Sequence, residues 1–160
     1  MRRYVPPMRR AFVSLILLLS LVLGVSASAA SGKVIKVLPH FLDAKGQHTT
    51  SPSLYDRDAY QAMLRKNPDK VSGLRYDVQW KARAAKGPLK LRLELRGIAQ
   101  SSLPRTKTIE TKVDAGHGAS RWNGVALLGD DYKAFGQVTA WRVTLWDGET
   151  QLGEQKSFLW

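Results

Sequence analysis

Phe135-Gly136-Gln137-Val138-Thr139-Ala140-Trp141-Arg142-Val143-Thr144-Leu145-Trp146 is followed by Asp147-Gly148-Glu149-Thr150 and then Gln151-Leu152-Gly153-Glu154-Gln155-Lys156-Ser157-Phe158-Leu159-Trp160. Two β-rich runs joined by an Asp-Gly turn read as a hairpin. It holds three of the five tryptophans, Trp141, Trp146 and Trp160. Side chains of that size bury roughly 150–250 Å² each, so the core is expected to gather around this hairpin. Strand parity divides it, however. Trp141, Val143 and Leu145 share one face, while Trp146 falls on the other with Val138, Ala140, Arg142 and Thr144. Both tryptophans can enter one core only across a bulge. Trp146 is therefore a candidate contact surface for a sugar or a partner protein, unless a helix covers it.

The same period of two runs upstream. Leu74, Tyr76, Val78, Trp80 and Ala82 alternate with Arg75, Asp77, Gln79, Lys81 and Arg83, and Leu89, Leu91, Leu93 and Leu95 alternate with Lys90, Arg92, Glu94 and Arg96. Each pattern is a half-buried strand of an antiparallel sheet. Weaker strands are expected over 106–113, with Ile109, Thr111 and Val113 inward, and over 120–128. Lys33 to Leu38 reads as a first edge strand stopped by Pro39. Gly129-Asp130-Asp131 looks like the cap of one short turn ending at Phe135.

Between the first two strands the period changes to that of a helix, over about 54–66. Ser53 supplies the cap with Asp56 three residues on, or Ser51 does with Pro52 as first helical residue, and Asn67-Pro68 halts it. Tyr55, Ala59, Ala62 and Met63 fall on its apolar face, away from Arg57, Asp58, Gln61 and Arg65. Tyr55, Ala59 and Met63 are thus the side chains that could cover Trp146.

Seven strands with one inserted amphipathic helix, no βαβ alternation and no internal repeat imply a mainly all-β, antiparallel, immunoglobulin-like β-sandwich. Val78-Gln79-Trp80-Lys81 followed by the leucine-alternating strand resembles the second and third strands of fibronectin type III domains. Trp141-Arg142-Val143-Thr144-Leu145 resembles their sixth. The resemblance covers most of 74–160 and implies a tryptophan plugging the core between the sheets. It departs from that family in carrying Trp141 where a tyrosine is expected and in having the helix. The chain is also similar to small exported bacterial proteins with no assigned activity.

The N-terminal thirty residues read as a signal peptide, leaving 31–160 as a single sandwich domain. Arg2, Arg3, Arg9 and Arg10 precede an apolar run over 11–23, and Ala27-Ser28-Ala29 gives small residues at the cleavage spacing. The run is shorter than the roughly 20 residues a membrane span requires, so no stable span is expected after cleavage. Arg9-Arg10 also fits a twin-arginine signal, and the export route stays open between this and the general secretory one. The expected location is periplasmic or extracellular. Removing the four arginines lowers the formal net charge from +12 to +8. That surplus favours anionic partners. The sequence has no cysteine, so neither a disulfide nor a lipidated N-terminal cysteine is available.

No specific catalytic, metal or cofactor motif is present. The three histidines are His40, His48 and His117. His40, Asp43 and His48 lack the regular ligand pairs of a structural zinc site. Asp130-Asp131 and Asp56 with Asp58 sit at helix starts, where exposed amides favour acids. Binding is the stronger expectation. If the two best strands pair, Arg75, Lys81, Lys90, Arg92 and Arg96 form a basic wall, to which Trp146 adds a contact surface. No aromatic is interleaved with those positions, which argues against specific nucleic-acid binding. The expected role is an exported, non-catalytic binding or scaffolding module for an envelope protein or anionic polysaccharide. The alternative is a small exported hydrolase of envelope polysaccharide using Asp130 or Asp131 with a loop histidine.

Overall fold

The computed structural model describes residues 29–99, 102–114 and 119–160. The charged and apolar parts of the expected signal peptide, and His117, lie outside the described residues. The chain forms β1 (Ser31–Asp43), α1 (Leu54–Lys66), β2 (Val71–Arg83), β3 (Leu89–Ile98), β4 (Pro104–Val113), β5 (Arg121–Leu128), α2 (Gly129–Phe135), β6 (Gln137–Asp147) and β7 (Thr150–Lys156). Every strand pairing is antiparallel, in sheets ordered β1-β2-β5 and β4-β3-β6-β7. This is the expected mainly-β, seven-stranded sandwich. Its three-plus-four division is compatible with the fibronectin type III resemblance.

The two strands with the clearest alternation do not pair. β2 lies in one sheet and β3 in the other, and the intervening loop crosses between them with Ala84 at a φ of 53°. Their apolar faces meet instead. Tyr76, Val78 and Trp80 from β2 pack with Leu91, Leu93 and Leu95 from β3, joined by Val143 and Leu145 of β6. Trp80 is 1% exposed, and its Nε1 donates to Asn123 Oδ1 at 2.8 Å, which satisfies the one polar atom it carries into the core. Each fully buried aliphatic side chain here contributes roughly 1.5–3 kcal/mol of transfer free energy. The core mass therefore gathers between β2 and β3. None of the hairpin's three tryptophans is fully buried.

β1 is longer than expected because Pro39 does not stop it. The strand pairs with β2 alone, so a residue without an N–H is tolerated on its free edge. A register shift between Val34 and Lys36 bulges Ile35 out of the ladder. At its start β1 crosses over β7 with no room for a side chain at either glycine: a Cβ on Gly32 would lie 2.8 Å from Leu152 Cβ, and one on Gly153 would lie 2.9 Å from Lys33 Cα. The two sheets are thus joined along a tight seam.

α1 begins as its sequence dictates. Ser53 Oγ accepts from Asp56 N at 3.4 Å, and Asp56 closes the cap through Ser51 Oγ at 2.8 Å. Its buried side is not the expected one. Gln61 and Leu64 are buried, whereas Tyr55 is 83% exposed and Ala59 and Ala62 face solvent. Gln61 sets this rotation by bridging the turn after β1: its Oε1 accepts from Phe41 N at 2.8 Å, and its Nε2 donates to Phe41 O at 2.9 Å and His48 O at 2.8 Å. Three hydrogen bonds from one amide outweigh the small apolar surface of two alanines.

At the opposite end the hairpin is stapled to the β2–β3 loop. Asp147 is 9% exposed, and its carboxylate accepts from Lys86 N at 2.9 Å and Gly87 N at 2.6 Å. Gly148 takes the positive φ of 56° that turns the chain. Residues 157–160 do not extend β7, although the second β-rich run of the hairpin reads through to Trp160. They turn back through Trp160 N donating to Ser157 O at 3.2 Å, leaving Phe158 fully exposed.

Candidate functional site

The six candidate binding residues divide between opposite outer faces. Lys90, Arg92, Arg96 and Trp146 lie on β4-β3-β6-β7, and Arg75 and Lys81 on β1-β2-β5. A single basic wall does not form, because alternating strands that share a core put their polar positions on its two far sides.

On the four-stranded sheet several cations are paired with acids, although Arg96 and Lys112 have no acidic partner within 4.0 Å among the described residues. Arg92 Nε lies 2.7 Å from Glu110 Oε1, with Lys90 Nζ 3.5 Å from the other oxygen. Arg142 grips both oxygens of Glu94, at 2.8 and 2.9 Å. The tryptophans are covered by guanidinium groups. Arg92 stacks 4.6 Å from the Trp146 ring centroid, while Arg96 and Arg142 lie 4.1 and 4.8 Å from that of Trp160. α1 contacts β1 of the other sheet and has no part in covering Trp146. Parity correctly separates Trp146 from Trp141. The role of Trp160 was not legible, because it reaches this face by a turn and not by strand alternation.

On the three-stranded sheet the balance is different. Arg75 Nε donates to Asp77 Oδ1 at 2.7 Å. Lys33, Lys36, Lys81 and Arg83 are all exposed, and among the described residues none has an acidic partner within 4.0 Å. Lys33 stands directly opposite Lys81, and Lys36 opposite Gln79, whose other neighbour is Trp122. Trp122 is 49% exposed. The Ile35 bulge is what places Lys33 and Lys36 on one face in spite of their odd spacing.

The acidic and histidine candidates have local roles. Asp130 and Asp131 occupy the first turn of α2, whose N-cap Leu128 gives no side-chain cap. Asp131 Oδ2 accepts from Lys107 Nζ at 2.6 Å. Neither aspartate is bonded to a histidine among the described residues. His40 stacks on His48 with centroids 4.9 Å apart, and its Nε2 is 3.6 Å from Asp77 Oδ2. Burial holds its pKa below the ordinary value, an effect that Asp77 opposes and His48, Arg57 and Arg75 reinforce. Asp43 is turned away from the pair and accepts from Tyr60 Oη at 2.7 Å and from Lys45 N and Gln47 N at 2.8 Å each. No cluster of three or more His, Asp or Glu side chains able to hold a metal ion occurs among the described residues.

One concavity opens between the sheets where β1 leaves β7. It is a cleft of about 920 Å³ lined by Phe41, Leu74, Tyr76, Tyr132, Val138 and Trp141, with Arg65 and Lys133 among its polar residues. Trp141, partly buried against the core, packs edge-on against Tyr76 at 6.0 Å and forms a wall of the cleft, whereas the tryptophan that fills the core between the sheets is Trp80.

No helix among the described residues is long and apolar enough to cross a membrane. No protein-family model and no curated protein matches the chain. A crystal structure from Akkermansia muciniphila is similar in fold, with a TM-score of 0.53 at 11% identity over 81% of this chain and 70% of that one.

Proposed function

We propose that the protein is an exported, non-catalytic binding module that holds an anionic envelope polysaccharide on the outer face of β1-β2-β5. The observation that carries this reading is the pair Lys33 and Lys81, placed directly opposite one another with no acid within 4.0 Å among the described residues. Like charges in that position destabilise a sheet by a few tenths of a kcal/mol up to about 1 kcal/mol. A bound polyanion would convert this cost into affinity. Lys36 and Arg83 extend the strip, and the half-exposed Trp122 gives a flat surface on which a sugar ring can stack. The other face is the weaker candidate, since its guanidinium groups are engaged by Glu94, Glu110, Trp146 and Trp160. Export rests on the N-terminal arginines, apolar run and small-residue site.

The test is equilibrium binding of the exported protein to immobilised dextran sulfate, with neutral dextran as control, across a series of salt concentrations. Releasing counterions from two cationic contacts predicts that a Lys33→Gln, Lys81→Gln variant loses at least about tenfold in affinity near 0.1 M salt and shows a flatter salt dependence. An Arg92→Gln, Arg96→Gln variant should change affinity by less than about twofold. Capture that ignores salt, or equal losses in the two variants, would sink the proposal.

A further inference from the structure

The cleft between the sheets brings together three features that the polysaccharide face does not use. Its walls are aromatic, with Phe41, Tyr132 and Trp141 around Tyr76. Tyr76 is 1% exposed and lines the cleft, and its hydroxyl is not among the buried polar atoms left without a partner, so what remains accessible of this residue is open to the cleft. Burial and the neighbouring Tyr132 push its pKa above the ordinary phenol value, so the group stays a neutral donor and acceptor. A hydroxyl that meets the water of a cleft can exchange that water for a ligand oxygen. At the edge of the cleft, Arg65 and Lys133 are exposed cations with no acidic partner among the described residues, and Asp69 is the one acid in the lining. Arg65 lies 5.9 Å from the Phe41 ring, at the apolar boundary.

We infer that this cleft binds an elongated aromatic carboxylate with a hydroxyl at the far end: the rings between Trp141 and Phe41, the hydroxyl on Tyr76, and the carboxylate at Arg65 and Lys133. The cavity volume is within the roughly 300–1,000 Å³ of small-molecule sites, and the combination of apolar walls with a few placed polar groups is what such sites have in common. The inference does not depend on the polysaccharide reading, because Lys33, Lys81 and Trp122 lie on the outer face and this cleft opens between the sheets.

Three probes separate the contributions in calorimetric titrations of the exported protein: 4′-hydroxybiphenyl-4-carboxylate, biphenyl-4-carboxylate without the hydroxyl, and 4-hydroxybiphenyl without the charge. The first is expected to bind at one site per chain, about fivefold or more tighter than either of the others. Tyr76→Phe, the loss of one oxygen, should abolish the preference over the probe without the hydroxyl. Arg65→Gln with Lys133→Gln, both surface changes, should abolish the preference over the uncharged probe and leave that probe's own affinity unchanged. Lys33→Gln with Lys81→Gln should alter none of the three. Absence of saturable binding overturns the inference, as does equal affinity for all three probes or a preference that survives both sets of variants.

Discussion

Replacing Asp147 tests the connection between the two ends of the hairpin scaffold most directly. The carboxylate is 9% exposed and accepts two backbone N–H groups from the β2–β3 loop. Hydrogen bonds to a charged group contribute about 1.5–3 kcal/mol each. Lys86 and Gly87 are themselves exposed residues, so water can replace part of what is lost. The balance predicts that Asp147→Ala costs about 2–3 kcal/mol. Asp147→Asn, which keeps one acceptor but turns an N–H₂ group towards the other donor, should cost about half as much. Urea denaturation followed by far-ultraviolet circular dichroism measures both, and an unchanged slope would show that the denatured state is not the source. In a domain of this size the alanine variant should also melt roughly 10 °C lower. A loss below about 0.5 kcal/mol for Asp147→Ala would refute the staple, since water would then serve the two amides as well as the carboxylate does.

Two further changes follow from buried polar groups. His40 has a folded pKa depressed below its ordinary value of 6.5, chiefly by burial, so the folded state binds its proton less well than the unfolded chain. Stability should therefore fall as pH drops through and below 6.5, and a His40→Gln variant should flatten that part of the profile; a profile that His40→Gln leaves unchanged contradicts the assignment. Gln155 Oε1 is buried without a hydrogen bond among the described residues. Gln155→Leu should raise the unfolding free energy by about 1 kcal/mol, and a loss of stability in the same urea assay would show that the amide has a partner.

The parts of this fold that were legible in the sequence are those where one residue type repeats at a fixed period. Leu89, Leu91, Leu93 and Leu95 declared β3, and Ser53 with Asn67-Pro68 declared both ends of α1. What was not legible depends on partners distant in the chain. The buried side of α1 is chosen by Gln61 through Phe41 and His48, a preference that an apolar periodicity does not carry. β2 and β3 look like neighbours because each has one polar face, and alternation alone does not say whether two such strands lie side by side or across a core. The strip holding Lys33, Lys36 and Lys81 was hidden for a related reason: the Ile35 bulge reverses parity between two lysines three residues apart. Trp146 was separable from Trp141 by parity, but its cover, Arg92, comes from another strand.

The seam at Gly32 and Gly153 has a mechanical consequence. Gly153 rests on the main chain of Lys33 and Val34, and Gly32 on the side chains of Leu152 and Leu145, while further along the same strand Pro39 and Phe41 border the cleft. β1 is thus held against β7 near its start and lines the cleft further on, so a displacement at the glycines is carried along the strand towards Phe41. A single methyl group on Gly153 would press on the main chain of β1 at Lys33 and Val34, and so act on a cleft-lining strand from a place outside the cleft.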